Sequence, residues 1–272
     1  MPKVKVGDIN IYYEVHGKGE PLVNIPGAGS TMDGFFRHIP VYAEKYRLVA
    51  YDLRGAGRSD APDIPYTTEM MADDLSGLLD AIGIDSAHIL GGSMGGMIAQ
   101  QFALRYPQRV RSLILACTKF GGPHEIPVDA EILEYWEHPK QLSPEDSIMQ
   151  GLRLQMSQEF IDKNPDLIKQ IIKRAIEAPP PVTPQSGMRQ VQAIIGHNTY
   201  DRLPEIKAPT LVIQGDADRM SPVGNSRILA SRIPNAELVI LNKMGHGFMI
   251  EAFDESNRIM LDFLKRHRTG KA

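Results

Sequence analysis

The chain has 272 residues, 42% of them hydrophobic, with 33 acidic and 30 basic side chains and a formal net charge of −3. That length can bury a full core in one large domain, while the charge balance offers no basic surface for nucleic acid and no Lys/Arg patch for a membrane. A single cysteine, Cys117, excludes an intramolecular disulfide and suits a reducing compartment.

At the N-terminus, Met-Pro-Lys-Val-Lys-Val lacks an apolar signal core, and no stretch nears the ~20 apolar residues of a membrane span, so a cytoplasmic protein is expected. Lys3 to Val6 and Ile9 to Val15 alternate around Gly7-Asp8, as a hairpin does. Leu22 to Ile25 reads as a third strand running into Pro26-Gly27-Ala28-Gly29-Ser30. That loop has neither the Gly-Lys-Ser/Thr ending of a P-loop nor the third glycine of a dinucleotide fingerprint. A helix over Phe35 to Tyr42 and a strand over Tyr46 to Tyr51 follow, then Asp52-Leu53-Arg54-Gly55-Ala56-Gly57-Arg58-Ser59, read as a turn in which Asp52 and the arginines tie loops together. Thr67 to Ile82 is amphipathic, with Met71, Leu75, Leu78, Leu79 and Ile82 on one face.

Ala87 to Leu90 is short and apolar, like a strand buried on both faces. Met97, Ile98, Gln101 and Phe102 recur at helical spacing beyond it, until Pro107 stops the run. Between the two lies Gly91-x-Ser93-x-Gly95. A sharp strand-to-helix turn strains its central residue, and the residues two before and two after must be nearly without side chain to avoid collision. Such a turn lifts the Ser93 hydroxyl above the sheet edge. Val110 to Ala116 is a further strand, and strands alternating with helices from residue 22 to 116 predict a mostly parallel α/β sheet with helices on both faces.

The alternation stops at Phe120 and resumes near Tyr200. Helical runs at Ala130–Glu137, Pro144–Met156, Pro165–Ala178 and Gln185–Ile195, divided by prolines including Pro179-Pro180-Pro181, read as a helical cap insertion over residues 120–200. The core is then 1–119 and 201–272, closed by a strand at Pro209–Gln214, a helix at Pro222–Arg232, a strand at Glu237–Leu241 and a helix from about Glu251 to Arg266.

Serine is a poor nucleophile near neutral pH and needs a base, which in turn needs an orienting acid. His246, in Met244-Gly245-His246-Gly247-Phe248 between the last strand and helix, is the best-placed histidine. His88 and His267 read as structural or solvated, and His124, His138 and His197 lie in or near the insertion. The acid is expected from Gly215-Asp216-Ala217-Asp218, with Asp218 preferred over Asp216 because the loop must leave its strand before a carboxylate can turn toward the next loop. The order Ser93, Asp218, His246 is that of a strand–turn–helix hydrolase. Two oxyanion donors are expected, the Met94 N–H at the start of the helix and the Ala28 N–H in the glycine loop. Substrate contacts are expected from Trp136 and Met156 of the insertion and from Phe248. No His-Glu-x-x-His or similar spacing suggests a metal, and no cofactor is expected.

On Gly91-Gly92-Ser93-Met94-Gly95-Gly96, Asp52-Leu53-Arg54-Gly55-Ala56-Gly57-Arg58-Ser59, Gly215-Asp216-Ala217-Asp218 and Gly245-His246, the chain resembles α/β-hydrolase-fold serine hydrolases from end to end, within the esterase, enol-lactone hydrolase and cofactor-free perhydrolase group. The resemblance is specific for the superfamily and weak for substrate. Two departures stand out: Pro26-Gly27 where many relatives have His-Gly, and Ala56 where many have His. Ala28 is small where relatives are often bulky, which implies a roomier pocket. The reading is hydrolysis of a small-molecule carboxylic ester or lactone through an acyl-serine. The alternatives are C–C bond hydrolysis of a diketone-like substrate and a triad-bearing small-molecule receptor.

Overall fold

A computed structural model describes residues 3–137, 142–177 and 183–268. Eight strands form one sheet: β1 (Lys3–Val6), β2 (Ile9–His16), β3 (Glu20–Ile25), β4 (Tyr46–Tyr51), β5 (Ala87–Gly92), β6 (Val110–Ala116), β7 (Thr210–Gly215) and β8 (Ala236–Leu241). Their order is β1-β2-β4-β3-β5-β6-β7-β8. The β1–β2 and β2–β4 pairs are antiparallel; the pairs from β4 to β8 are all parallel. The sequence explains this division. β1 alternates in burial, and β2 does so over Ile9 to Ile11 where it pairs with β1, whereas every residue of β7 and the first five of β5 are buried, as expected of strands covered on both faces.

The helices outside the β6–β7 connection are α1 (His38–Ala43), α2 (Thr68–Ala81) and α3 (Met94–Arg105) before it. Within the connection run α4 (Ala130–Glu137), α5 (Pro144–Gln155), α6 (Gln158–Lys163), α7 (Pro165–Glu177) and α8 (Pro184–Gly196); beyond it come α9 (Val223–Arg232), α10 (Phe248–Glu251) and α11 (Phe253–Arg266). One core cluster joins the inner faces of α2, α3 and α9 to the sheet through Met71, Leu75, Ile98, Phe102 and Leu229. A second, holding Tyr42, Leu48, Ile114, Met260 and Phe263, seals the other face under α1 and α11. The mostly parallel α/β architecture expected from the strand–helix alternation is therefore the one observed.

No strand occurs between β6 and β7 among the described residues. The helical segment leaves and rejoins the sheet layer at adjacent points, where Gly121 bridges Asn198 and the Thr199 N–H donates to Phe120 O at 2.9 Å. Leu152, Met156, Ile161, Ile168 and Ile172 give α5–α7 an apolar cluster of their own.

Local chemistry moves some boundaries. The helix expected over Phe35–Tyr42 is a 3₁₀ turn at Met32–Phe35, capped by Thr31, and then α1. The short α6 is set apart from α5 by Ser157, whose hydroxyl caps Phe160 N. The closing helix divides into α10 and α11 at Ala252. Ala178, the run Pro179-Pro180-Pro181 and His138 lie outside the described residues. No helix among those described is long and apolar enough to cross a membrane. Asp52 does tie loops together, accepting from the backbone N–H groups of Met32 and Arg58, both at 2.9 Å.

Several histidines serve the core. His88 is fully buried in β5, with Nδ1 2.7 Å from Ser112 Oγ, and burial lowers its pKa to about 4. His197, at the end of α8, places Nδ1 2.9 Å from Thr68 Oγ1 and has no partner for Nε2 among the described residues. Burial, with a smaller effect from the Lys119 charge, lowers its pKa from 6.5 to about 3. An unfolded chain binds that proton near pH 6.5, whereas the folded chain refuses it until about pH 3. Stability from this group is therefore complete above pH 6.5 and declines as pH falls toward 3, at ~1.4 kcal/mol per pH unit. Urea unfolding of wild type and His197→Gln at a series of pH values should show a shallower acid loss in the variant by about one proton. Equal slopes would show that His197 takes up its proton normally in the folded chain.

Candidate active site

β5 runs into α3 through a single residue, Ser93, at φ 54°, ψ −123°. Left-handed φ is uncommon for a residue with a side chain and stores strain. The surroundings hold it there. The Ser93 N–H donates to Ala116 O at 2.9 Å; its carbonyl accepts from Gly96 N at 2.9 Å and from Thr118 Oγ1 at 2.7 Å. The turn is tight enough that a Cβ on Gly91 would overlap the Gly95 carbonyl and sit 2.8 Å from Gly96 N. A Cβ on Gly95 would overlap Ile25 O and lie 2.8 Å from Pro26 O. The small residues flanking Ser93 are thus required by backbone crossing backbone, the reason expected from the sequence.

Asp218 and His246 meet on the loops that follow β7 and β8, with His246 Nδ1 2.7 Å from Asp218 Oδ2. The Asp218 side chain is fully buried and that of His246 only 9% exposed. Asp218 Oδ1 accepts from Met220 N at 2.8 Å and Ser221 N at 2.9 Å, and Oδ2 accepts from Gln214 Nε2 at 2.7 Å. A carboxylate that already takes three donors offers the imidazole an acceptor, so Nδ1 carries the proton and the lone pair is left on Nε2. Asp216 acts elsewhere, its Oδ1 accepting from Lys243 N at 2.6 Å and so closing the β8 turn.

Ser93, Asp218 and His246 all follow the C-terminal ends of parallel strands, where open α/β sheets present their loops. No hydrogen bond joins Ser93 Oγ to His246 among the described residues; catalytic hydrogen bonds often tighten only when substrate is bound. Gly27 lies against Ser93, a Cβ there falling 3.4 Å from the Ser93 Cβ. This puts the Pro26–Gly29 loop beside the hydroxyl. Neither the Ala28 nor the Met94 N–H donates to an acceptor among the described residues, so both are free for a ligand oxygen. Such a set can deprotonate an alcohol and hold negative charge on a former carbonyl oxygen.

The remaining expected contacts are distributed differently. Trp136 falls in α4, but its side chain lies outside the described residues. Met156 packs inside the α5–α7 cluster and against Gly247, next to the histidine. Phe248, expected to touch substrate, is instead fully buried in the core cluster with Leu90 and Ile114, where it anchors the histidine loop from below. Three side chains without a motif also serve the site: Thr118 and Gln214, already placed, and Gln190 of α8, whose Oε1 accepts from Gly29 N at 3.0 Å. A buried glutamine ending an apolar strand, as Gln214 does, is itself a signal, because an amide in such a place needs partners. Gln190 carries no such signal. A separate cleft of about 290 Å3 lies between α6–α7 and α10–α11, lined by Arg37, Phe160, Leu167, Ile250 and Phe253, and includes none of the three residues. No group of three or more His, Cys, Asp or Glu among the described residues could hold a metal ion.

The sequence matches the family described as alpha/beta hydrolase fold over residues 20–253. It is 30% identical over 261 residues to a putative carbamate hydrolase RutD of Stutzerimonas stutzeri, covering 93% of this chain and 96% of that one. It is 32% identical over 277 residues to a 2-hydroxy-6-oxononadienedioate/2-hydroxy-6-oxononatrienedioate hydrolase of Dechloromonas aromatica, covering 96% and 93%. The fold superposes on the enol-lactonase of Burkholderia xenovorans LB400 with a TM-score of 0.82 at 25% identity, covering 97% of this chain and all of that one.

The crossing at the Ser93 turn yields a stability test. Gly95→Ala forces a methyl into backbone carbonyls that cannot withdraw, and should destabilise by about 3 kcal/mol or more in urea unfolding. Gly92→Ala is its control, since a Cβ there meets nothing nearer than Cys117 Sγ at 3.8 Å. A Gly95→Ala chain as stable as Gly92→Ala would show that the turn is not so crowded.

Proposed function

We propose, for a chain that belongs to the alpha/beta hydrolase fold family and is a hydrolase, that it cleaves a carboxylic ester or lactone through an acyl-Ser93 intermediate. The observation that carries this reading is the buried Asp218–His246 pair, held at 2.7 Å on the loops after β7 and β8, at the same end of the parallel strands as the strained serine. His246 Nε2 takes the Ser93 proton as Oγ attacks the carbonyl carbon. The oxyanion that forms is received by the Ala28 and Met94 N–H groups. The Met94 N–H lies at the positive end of α3, where the helix dipole adds to its pull. When the C–O bond breaks, the imidazolium returns the proton to the leaving alkoxide. Water activated by the same imidazole then releases the acid and frees Ser93. Asp218 stays ionised throughout and keeps the ring in the productive tautomer. The substrate we infer is a small molecule, and the single buried Cys117 fits a reducing, cytoplasmic setting.

Hydrolysis of a C–C bond in a diketone-like substrate is the second reading, supported by the near full-length similarity to a 2-hydroxy-6-oxo dienedioate hydrolase. The same residues suffice for it, with a carbanion in place of the alkoxide as leaving group. Turnover against graded p-nitrophenyl esters, a lactone, an aryl carbamate and a vinylogous diketone separates the two, and cleavage of the diketone alone would reverse their order.

A fluorophosphonate should label the chain at Ser93 alone, because only an activated hydroxyl attacks phosphorus readily. Ser93→Ala should abolish labelling and lower ester turnover by ~10⁴-fold or more, with a residual rate left by binding and the oxyanion donors. Peptide mapping that finds the adduct elsewhere, or an alanine variant with undiminished activity, would remove Ser93 from the mechanism. Asp218→Asn should leave the fold intact and reduce kcat by about 10³–10⁴-fold, since an amide favours the wrong imidazole tautomer. Asp216→Asn, facing the β8 turn, should stay within a few-fold of wild type. Steady-state rates of the two variants check this, and a larger loss in Asp216→Asn would reassign the acid.

A further inference from the structure

We infer that Gln190 is a positioning residue: it holds the Pro26–Gly29 loop so that the Ala28 N–H points at the developing oxyanion. The inference rests on the acyl-serine reading and extends it to the helical segment, which the sequence pattern alone presents only as a cover for the substrate.

The loop has little of its own to hold it. Its one internal backbone hydrogen bond is Ser30 N–H to Gly27 O, long at 3.3 Å, and Gly29 is in the left-handed region at φ 69°, with open space where a side chain would stand. Ala28 and Gly29 are exposed. From Thr31 onward the backbone is secured by the Thr31 cap and by Asp52, which accepts from Met32 N. Between Ile25 and that anchor, one side chain among those described hydrogen-bonds the loop backbone. It is Gln190, with Oε1 3.0 Å from Gly29 N, reaching across 161 residues of sequence.

The orientation of the amide follows from its partner. A backbone N–H can only donate, so the atom facing it is the oxygen. Nε2 therefore points away, and it has no acceptor among the described residues although Gln190 is only 1% exposed. As a stabilising device this is poor, because one neutral hydrogen bond is set against a buried donor left unsatisfied. Leucine or methionine would fill the same space without that cost. What a glutamine supplies and they cannot is the bond to Gly29.

The brace also has a rigid base. α8 begins with a reciprocal cap between Thr183 and Ser186, and Arg189 donates to Pro62 O at 3.2 Å one residue before Gln190. Ala193, almost one turn further on, lies in the core cluster with Met94 and Ile98. Gln190 thus links the core to the Ala28–Gly29 stretch, the exposed part of the loop. An oxyanion donor acts only when it is aimed at the oxygen of the transition state, and misplacement by about 1 Å costs ~10²-fold in rate.

The test uses Gln190→Met, similar in length without the acceptor, and Gln190→Asn, which keeps an amide one methylene too short. In both, kcat for the best ester should fall by about 10–100-fold with KM within about twofold of wild type. A trifluoromethyl ketone adds a readout that mere structural damage would not select. Ser93 Oγ bonds to the ketone carbon, the hydroxyl proton passes to His246, and the negative oxygen occupies the oxyanion site. Its inhibition constant should weaken by about the same factor as kcat/KM, while a non-reacting alcohol analogue of that ketone binds as to wild type. Thermal melts report folding of each variant, and if the methionine variant does not melt cooperatively the asparagine variant decides by the same criteria. A folded variant with wild-type kcat and ketone affinity, or one that loses alcohol and ketone affinity equally, would overturn the role of Gln190 alone. A wild type that forms no ketone adduct at Ser93 would overturn the acyl-serine reading itself.

Discussion

The structure depends on one constraint, the reversal of the chain at Ser93. A residue with a side chain is held at φ 54° between a central strand and a helix that starts on the next residue. Conformations of this kind cost about 1–3 kcal/mol and persist only where the surroundings over-determine them. Here β3 and β6 flank β5 on either side. Ala116 O and Thr118 Oγ1 of the β6 side bind the serine backbone, while the Ile25 and Pro26 carbonyls of the β3 side press on Gly95. The strained turn therefore cannot relax without parting the middle of the sheet. That is why the hydroxyl has a fixed position against which other loops can be placed.

Those loops are held partly from within and partly by hydrogen bonds from distant segments. The histidine loop rests on buried Phe248 and is clasped from above by the end of α5, where Gln155 O accepts from Gly247 N at 2.8 Å. Ser157 adds a hydrogen bond to Glu251 of α10. The acid is fixed from within its own turn by Met220, Ser221 and Gln214. Among the described residues, the helical segment therefore reaches the site at two places, the histidine loop through Gln155 and the glycine loop through Gln190. Between them it keeps its own apolar cluster, to which Ile250 of α10 contributes.

What could be read from the residues follows from how local each cause is. The Ser93 turn is legible because its steric demand falls on Gly91 and Gly95, two positions either side. The parallel strands are legible because burial on both faces makes them apolar throughout, and the order Ser93, Asp218, His246 follows from which strands they terminate. Preferring Asp218 to Asp216 needed only the idea that a loop must clear its strand before turning, and the structure pairs Asp218 with His246 while Asp216 serves Lys243. Gln190 stayed hidden because its partner is 161 residues away and its neighbours follow an ordinary helical pattern. Phe248 misled because nearness to His246 in sequence says nothing about direction: two residues on, the chain turns its side chain into the core.

The same division bears on why the motifs identify the family better than the substrate. Residues at the strand ends answer to constraints from both faces of a packed sheet, so their identities are narrowly set. α8 answers to such constraints along one side only, where Ser186, Gln190 and Ala193 are buried. On its opposite side Met188, Val191 and Ile195 are exposed, and nothing in the core dictates what they must be. A helix so placed can change its outer side chains at little cost to stability, because exposed positions free of special features contribute within about ±0.5 kcal/mol. Relatives named as a putative carbamate hydrolase, a 2-hydroxy-6-oxononadienedioate/2-hydroxy-6-oxononatrienedioate hydrolase and an enol-lactonase are each matched along nearly the whole of this chain. The inner face of α8 is different in kind. It touches the glycine loop through a single hydrogen bond, so a change there alters the aim of a backbone donor before it alters stability.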